Sequence, residues 1–345
     1  MEISLISFTQ KGSLLNKKLS CSLSELGYNC ESFTTYKSAE ELELFSLKNG
    51  LKNWTEEHFY KKEAIIFIGA IGIAVRAIAP FVKSKTTDPA IVVIDELGKF
   101  TIPILSGHIG GANSLTEKIS SILNSTPVIT TATDINDKFS VDVFAKKENL
   151  YISDMTMAKK ISSEILDNVD IGVASDYKIK GKVPKELKIL ENGEIGVCIS
   201  VQRKSPFVNT LNLIPKILTL GIGCRRDTSI DKIENLVMKV LDENNISISA
   251  VKNVASIDLK KDEKGLIQFV EKYGFKFITY TADELNALEG NFSESTFVKS
   301  VTGVSNVCER AATLGSNNGK LIIKKRAENG VTVAISEEDW SVSFE

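Results

Sequence analysis

Two rhythms of apolar and polar positions alternate along this chain. EISLISF (2–8) has the short, β-branched character of a strand, and KGSLLNKKLSCSLSELG then repeats apolar positions at helical spacing as far as Gly27. AIIFIG (64–69) is apolar throughout, as a parallel strand buried on both faces should be. Glycines lead from it into IAVRAIAPF, a short helix limited by Pro80. AIVVIDELGKFTIPIL (90–105) predicts two strands joined by a tight turn at ELGK, followed by a helix, SLTEKISSIL (114–123), and a strand, PVITTA (127–132). This alternation predicts a small sheet covered by helices.

The pattern weakens after residue 138. Ser153 and Thr156 mark the start of a helix through MAKKISSEIL, and IGVASD and GEIGVCISVQ read as strands around the turn-rich GKVPKELKILENGE. It sharpens again at KILTLGIG (216–223), a strand ending in glycines. TSID (228–231) fits a capping box opening the helix DKIENLVMKVLDEN, and TADE (281–284) fits another. GFKFITY is a further strand, and LIIKKRAENGVTVAIS predicts a hairpin turning at Glu328-Asn329-Gly330. The expectation is a multi-domain α/β protein: N-terminal and C-terminal α/β domains, each a small sheet covered by helices (1–137 and 215–345), joined by a smaller middle α/β domain (138–214).

Composition narrows the classes. With 42 basic and 44 acidic residues the net charge is -2, so there is no overall attraction to nucleic acid or to an acidic membrane. The longest apolar candidate, IIFIGAIGIAV (65–75), stops at Arg76, short of the roughly 18–20 residues a spanning helix needs. MEISLISFTQKG lacks the basic start and apolar run of a signal peptide, so the expectation is a cytoplasmic protein. The 5 cysteines are dispersed without CxxC spacing, which argues against a disulfide framework and a structural zinc site.

Three glycine-rich turns lead into helices, where backbone N–H groups and the helix dipole favour anions. GAIGIAVR places Gly69 and Gly72 at the first, with Arg76 one turn on. SGHIGGAN places Ser106, Gly107, His108, Gly110, Gly111 and Asn113 at the second. An imidazole there titrates near neutral pH and can serve as acid or base, or else simply brace the loop. Asp88, Asp95, Glu96, Thr131 and Asp134 supply polar groups that can converge with it. GIGCRRDTS holds Gly223, Cys224, Arg225 and Arg226 at the third, and arginine binds carboxylate or phosphate through two parallel hydrogen bonds. No local histidine partners Cys224, which makes it a poor nucleophile. The absence of a P-loop lysine motif and of a full dinucleotide fingerprint disfavours a nucleotide-binding enzyme.

GAIGIAVRAIAP, KTTDPAIVVIDELGKFTIPILSGHIGGAN and PVITTATD, followed by TLGIGCRRDTS, ASIDLKKDEKG and VTGVSNVCERAA, together resemble the cobalt-precorrin-5A hydrolases (the cobalamin biosynthesis protein CbiG family). The segments occur in the family's order over about residues 60–135 and 216–315. The resemblance implies a step of anaerobic cobalamin (vitamin B12) assembly. The δ-lactone of cobalt-precorrin-5A is opened and the C20 fragment leaves as acetaldehyde, giving cobalt-precorrin-5B. It also implies three domains, a tetrapyrrole substrate that brings its own cobalt, and no dissociable cofactor or protein metal site. Transient handover to other enzymes of the pathway follows from the same resemblance.

A flat macrocycle bearing many carboxylates suits several anion-binding turns, with Arg76, Lys85, Arg225 and Arg226 as partners. Lactone hydrolysis needs an activated water and donors for an oxyanion. The expected roles are His108 as base, Asp95 or Glu96 orienting its ring, and amides of the Gly107–Gly111 turn as oxyanion donors. Ser106 stands beside them. The competing expectation is a non-catalytic corrinoid carrier that uses the same turns only to hold carboxylates.

Overall fold

The computed structural model describes residues 1–37, 39–84, 87–108, 110–131 and 138–344, and these group into two compact units, Met1–Lys138 and Phe139–Glu345. Lys85 and Asp134 lie outside the described residues.

In the first unit, strands β1 (Glu2–Ser7), β2 (Asn29–Thr34), β3 (Phe45–Ser46), β4 (Ala64–Ile68), β5 (Ala90–Ile94), β6 (Phe100–Leu105) and β7 (Thr126–Pro127) form one sheet in the order β3-β2-β1-β4-β5-β6-β7. The first five are mutually parallel; β6 runs antiparallel to β5, and β7 parallel to β6. Helices α1 (Gln10–Glu25) and α4 (Ala112–Leu123) cover one face through Leu19, Leu23, Leu115 and Ile119. Helices α2 (Gly50–Lys61) and α3 (Ile71–Ile78) cover the other through Trp54, Phe59, Ala74 and Ile78. Every side chain of β4 and β5 is buried, which is why their sequences are apolar without alternation. Among the described residues, the strand predicted over 127–132 is shorter than expected: it pairs at Thr126–Pro127, after which Val128 donates to the Thr101 carbonyl (2.9 Å).

His58 sits on α2 and is buried. Its ring stacks on Trp54 (4.5 Å, 25°) and meets the edge of Phe33, while Nδ1 lies 2.7 Å from the Ser4 hydroxyl. Burial holds its pKa below the ordinary value, against the opposing pull of Glu31 and Glu57; Lys61 and Lys62 add to the lowering. A depressed histidine pKa means the unfolded chain takes up the proton first. Stability from this site is therefore fully present above about pH 6.5 and declines as pH falls below it. In a Trp340→Phe background, Trp54 fluorescence should show the first unit losing more stability between pH 7.5 and 5 than the same protein carrying His58→Gln. Equal losses would exclude this coupling.

The second unit contains two five-stranded sheets. The first is built from β8 (Leu150–Ile152), β9 (Ile171–Ser175), β11 (Leu187–Ile189), β12 (Gly193–Ile199) and β13 (Phe207–Pro215), in the order β11-β9-β12-β13-β8 with β8 antiparallel at the edge. Helices α5 (Val141–Lys147) and α6 (Met155–Leu166) pack on it. The cap of α6 is Asp154, between the two residues predicted; its carboxylate accepts from the amides of Thr156 (2.7 Å) and Met157 (3.1 Å).

The second sheet comprises β14 (Leu218–Cys224), β15 (Val251–Ile257), β16 (Lys276–Tyr280), β17 (Lys320–Glu328) and β18 (Val331–Glu337), in the order β16-β15-β14-β18-β17. β14, β15 and β16 are parallel, and the β17–β18 hairpin turns at Asn329-Gly330 as expected. Helices α7 (Ile230–Glu243) and α8 (Lys264–Tyr273) bury Ile233, Val237, Leu266 and Phe269 against one face. The capping box expected at TSID does not form: Ser229 is the cap, and the Thr228 hydroxyl donates to the Arg225 carbonyl instead. The box at TADE does form, with Thr281 and Glu284 bonded reciprocally at the start of α9 (Ala282–Ala287). Helices α10 (Thr296–Thr302) and α11 (Val307–Gly315) complete the unit. α11 lies directly on β14, and a Cβ at Gly221 would fall 1.8 Å from the Cys308 carbonyl oxygen. Only glycine permits that approach.

A short pair, β10 (Ile179–Lys180) with β19 (Val342–Ser343), brings the chain's last strand back to the first sheet of this unit. There Val342 is buried and Phe344 stacks on Phe144 (4.5 Å, 7°). The middle and C-terminal segments thus share a core, although the sequence pattern breaks near residue 215. Among the described residues, no helix is long and apolar enough to cross a membrane.

Candidate functional site

The strand order of the first unit reverses between β1 and β4, and the carboxyl ends of β1, β4 and β5 gather one group of candidates. Thr9, the side-chain cap of α1, donates to Glu96 (2.8 Å). The Asp95 carboxylate accepts from the amides of Leu97, Lys99 and Phe100 (3.1, 2.7 and 2.7 Å), so it builds the turn from β5 to β6. The Gly69 amide donates to the Ile94 carbonyl (2.8 Å), extending the sheet. Gly72 lies in the first turn of α3, and the Arg76 guanidinium folds back to within 3.5 Å of the point a Cβ there would occupy.

The His108 loop is at the other end of the sheet. It follows β6, which pairs antiparallel so that Leu105 opposes Ile91 while Thr101 opposes Ile94. The length of β6 therefore separates His108 from Asp95 and Glu96, about 20 Å at the usual strand rise. This corrects the expectation that either carboxylate orients the His108 ring: one closes a turn, and the other is held by Thr9.

What surrounds His108 is a loop bonded to itself. Ser106 is buried with φ +58°, a conformation that non-glycine residues hold at a cost, and its hydroxyl donates to the Asp88 carbonyl (2.9 Å). The Asp88 carboxylate is taken by the amides of Lys83 and Ser84 (2.8 and 2.9 Å). The amides of Gly111, Ala112 and Asn113 donate to the carbonyls of His108, Ser106 and Gly107. Gly111 is thereby removed from the expected oxyanion donors, which leaves Gly107 and Gly110 among the glycines of the turn. A Cβ at Gly110 would fall 2.2 Å from that of Ser106, so this position is closed to any side chain. Asn113 is buried beside Gly107 and donates to the Thr131 hydroxyl (3.1 Å). His108, half-buried, is thus held on a loop fixed at Ser106 and Asn113. Strain at a loop held from both sides is common where a side chain is positioned for function.

The second unit contains a cavity of about 620 Å³ at the carboxyl ends of β14 and β15. Gly223, Cys224, Arg225 and Arg226 all line it, as the third glycine turn predicted. Two segments with no sequence-assigned role join them: Ile257, Leu259 and Lys260 from ASIDLKKDEKG, and Thr302, Asn306, Val307 and Cys308 from TGVSNVCERAA. Phe297 and Val301 of α10 form an apolar wall, 74% and 63% exposed respectively, and Lys325 of β17 contributes a further cation. Lys260 is paired with the buried Glu263 (2.9 Å). Burial pushes the Cys224 and Cys308 thiols up to about 11, which keeps both protonated at neutral pH and unsuited to nucleophilic attack. The cavity thus combines four cationic side chains with large apolar surfaces. Phe297, Val301 and Lys325 escaped the sequence reading. The spacing of Phe297 and Val301 by one helical turn was the available signal, but Lys325 lies in a strand between Lys324 and Arg326 and nothing marks it.

Family models described as cobalamin synthesis G N-terminal, cobalamin biosynthesis central region and cobalamin synthesis G C-terminus match residues 53–134, 139–215 and 218–336. The chain is 36% identical to the cobalt-precorrin-5A hydrolase of Salmonella typhimurium over 346 residues, covering 96% of this chain and 97% of that protein. It is 34% identical to the cobalt-precorrin-5A hydrolase of Priestia megaterium over 297 residues, covering 81% and 79%. The crystal structure of a cobalamin biosynthesis protein G homolog from Sulfolobus solfataricus aligns over 97% of both chains, with 25% identity and a TM-score of 0.42.

Proposed function

The chain belongs to the cobalamin synthesis G family of cobalt-precorrin-5A hydrolases, and from that premise we propose how its residues divide the work. The enzyme is a hydrolase of cobalamin biosynthesis that acts on cobalt-precorrin-5A. In the finer reading, water adds to the carbonyl of the substrate's δ-lactone and the ring opens to a carboxylate and a free hydroxyl. A base then takes the hydroxyl proton, the bond between C20 and the macrocycle breaks, and its electron pair passes to the macrocycle. C20 and its methyl group leave as acetaldehyde, which makes the overall reaction a carbon–carbon bond hydrolysis.

The cavity of the second unit carries the substrate reading. Its apolar wall of Leu259, Phe297 and Val301 matches the face of a macrocycle, and Arg225, Arg226, Lys260 and Lys325 match the peripheral carboxylates. His108 is assigned as the base, because an imidazole can take up and return a proton and its loop is fixed at Ser106 and Asn113. The amides of Gly107 and Gly110 are assigned to the oxyanion. Cobalt enters as part of the substrate, and the scheme needs no separate cofactor; handover of the product to the next enzyme of the pathway completes it.

Incubation of the purified protein with cobalt-precorrin-5A is expected to release one acetaldehyde per macrocycle converted, detected by coupled reduction and by the mass of the product. Macrocycle that binds and is recovered unchanged would favour the carrier reading instead.

A further inference from the structure

Glu309 is completely buried on the first turn of α11, and its carboxylate bonds reach the edge strand β17 and the segment before α10. Oε2 accepts from the Ser293 amide (2.8 Å); Oε1 accepts from the Ser293 hydroxyl and from the Lys325 amide (both 2.7 Å). Both donors belong to walls of the 620 Å³ cavity or to the segment leading into one. Lys325 supplies a cation, and Ser293 lies two residues before Ser295, the cap of the helix that carries Phe297 and Val301. Asn306 adds a second fastening. It is buried; its Oδ1 caps α11 at the Glu309 amide (2.9 Å), while its Nδ2 donates to the Ser293 carbonyl (2.9 Å). Arg310 reaches back to the carbonyls of Leu285 (2.8 Å) and Leu288 (2.6 Å) and lies over the Phe292 ring. Ser293 therefore has its N–H, O–H and C=O all engaged by two adjacent buried side chains.

A buried carboxylate is costly unless donors and a favourable field compensate it. Here three donors and the amino end of α11 do so; the Lys325 amide comes from a cavity wall, and the other two donors come from Ser293, in the segment leading into α10. We propose that Glu309, with Asn306, is a positioning residue for substrate binding. It holds the apolar wall (Phe297, Val301) and the cation Lys325 in one fixed spacing, so that a macrocycle can lie against the first while a carboxylate meets the second. The proposal rests on reading this cavity as the tetrapyrrole subsite. Preformed spacing lowers the ordering cost of binding and leaves the chemical step alone.

Glu309→Gln tests this, since it replaces one acceptor oxygen by an NH₂ group that must face an N–H donor. Hydrogen exchange on the free full-length protein should rise about tenfold across residues 293–302 while β14 and β15 keep their protection. The KM for cobalt-precorrin-5A should rise about tenfold with kcat within about twofold. Ser293→Ala removes one donor from the outside and leaves the carboxylate in place; it serves if the first variant fails to fold. It is expected to change exchange and KM in the same direction, by about threefold. Unchanged exchange at 293–302, exchange that spreads equally into β14 and β15, or a fall in kcat at constant KM would each overturn the proposal. Localised exchange in a protein that does not bind the macrocycle would support the clamp and overturn the substrate reading, so the two failures are distinguishable.

Discussion

His108→Ala is expected to lower kcat for acetaldehyde release by about 10²–10⁴-fold, the usual contribution of a positioned general base, while substrate affinity changes little. His108→Gln should lose as much, because an amide of similar reach cannot take a proton at neutral pH. Asp95→Asn is the informative control. In the sequence Asp95 looked like the partner of the imidazole, but it bonds three amides of its own turn at the far end of β6. That variant should lower the stability of the first unit and leave the pH profile of kcat unmoved. Near-wild-type acetaldehyde release by both His108 variants would remove the residue from the mechanism. A shifted kcat pH profile in Asp95→Asn would restore the discarded pairing.

Removing two of the cavity's cations together, Arg226→Ala with Lys325→Ala, should raise the KM for cobalt-precorrin-5A by about 10²–10³-fold. Hydrogen bonds to charged groups each contribute about 1.5–3 kcal/mol, which is roughly ten- to a hundredfold in affinity per contact, reduced here because both head groups are partly solvated. Two further readings separate substrate binding from general damage. The wild-type KM should rise with ionic strength, and the double variant should lose most of that dependence, since screening acts on the charges removed. Thermal stability should fall only slightly, because both side chains line a cavity and Arg226 is exposed. If turnover falls while KM and its salt dependence stay unchanged, the macrocycle does not sit here.

Much of the fold was legible because the signals were local. AIIFIG and AIVVI are apolar at every position because helices cover both faces of their sheet, and that requirement is written in the residues themselves. The ELGK turn and the Asn329-Gly330 hairpin followed from turn chemistry, and the TADE box from its spacing. The TSID box failed for a reason no spacing reveals: the helix begins one residue later, with Ser229 as its cap, and the Thr228 hydroxyl points away to donate to the Arg225 carbonyl. Residues 28–62 carry no clear period: β3 is a two-residue edge strand, and β2 beside it and the helix α2 have mixed, half-polar patterns.

The candidate site divided in the same way. Sequence alone determined which loops are built for backbone exposure, the family to which they belong, and the gathering of Arg225 and Arg226 at a glycine turn. Tertiary structure decided which of these residues meet. An antiparallel strand carried His108 away from Asp95 and Glu96, because sequence proximity across a hairpin reverses along its length. Packing of helices and loops on the second sheet brought Lys260, Phe297, Asn306 and Lys325 to one cavity from four separate segments. The return of Val342 and Phe344 to the first sheet of the second unit joined two segments that the sequence pattern divides. Periodicity and turn residues report energies paid within a few residues of chain, so they are readable in order. Partners across a sheet are fixed by strand order and direction, which only the packing of the whole core selects.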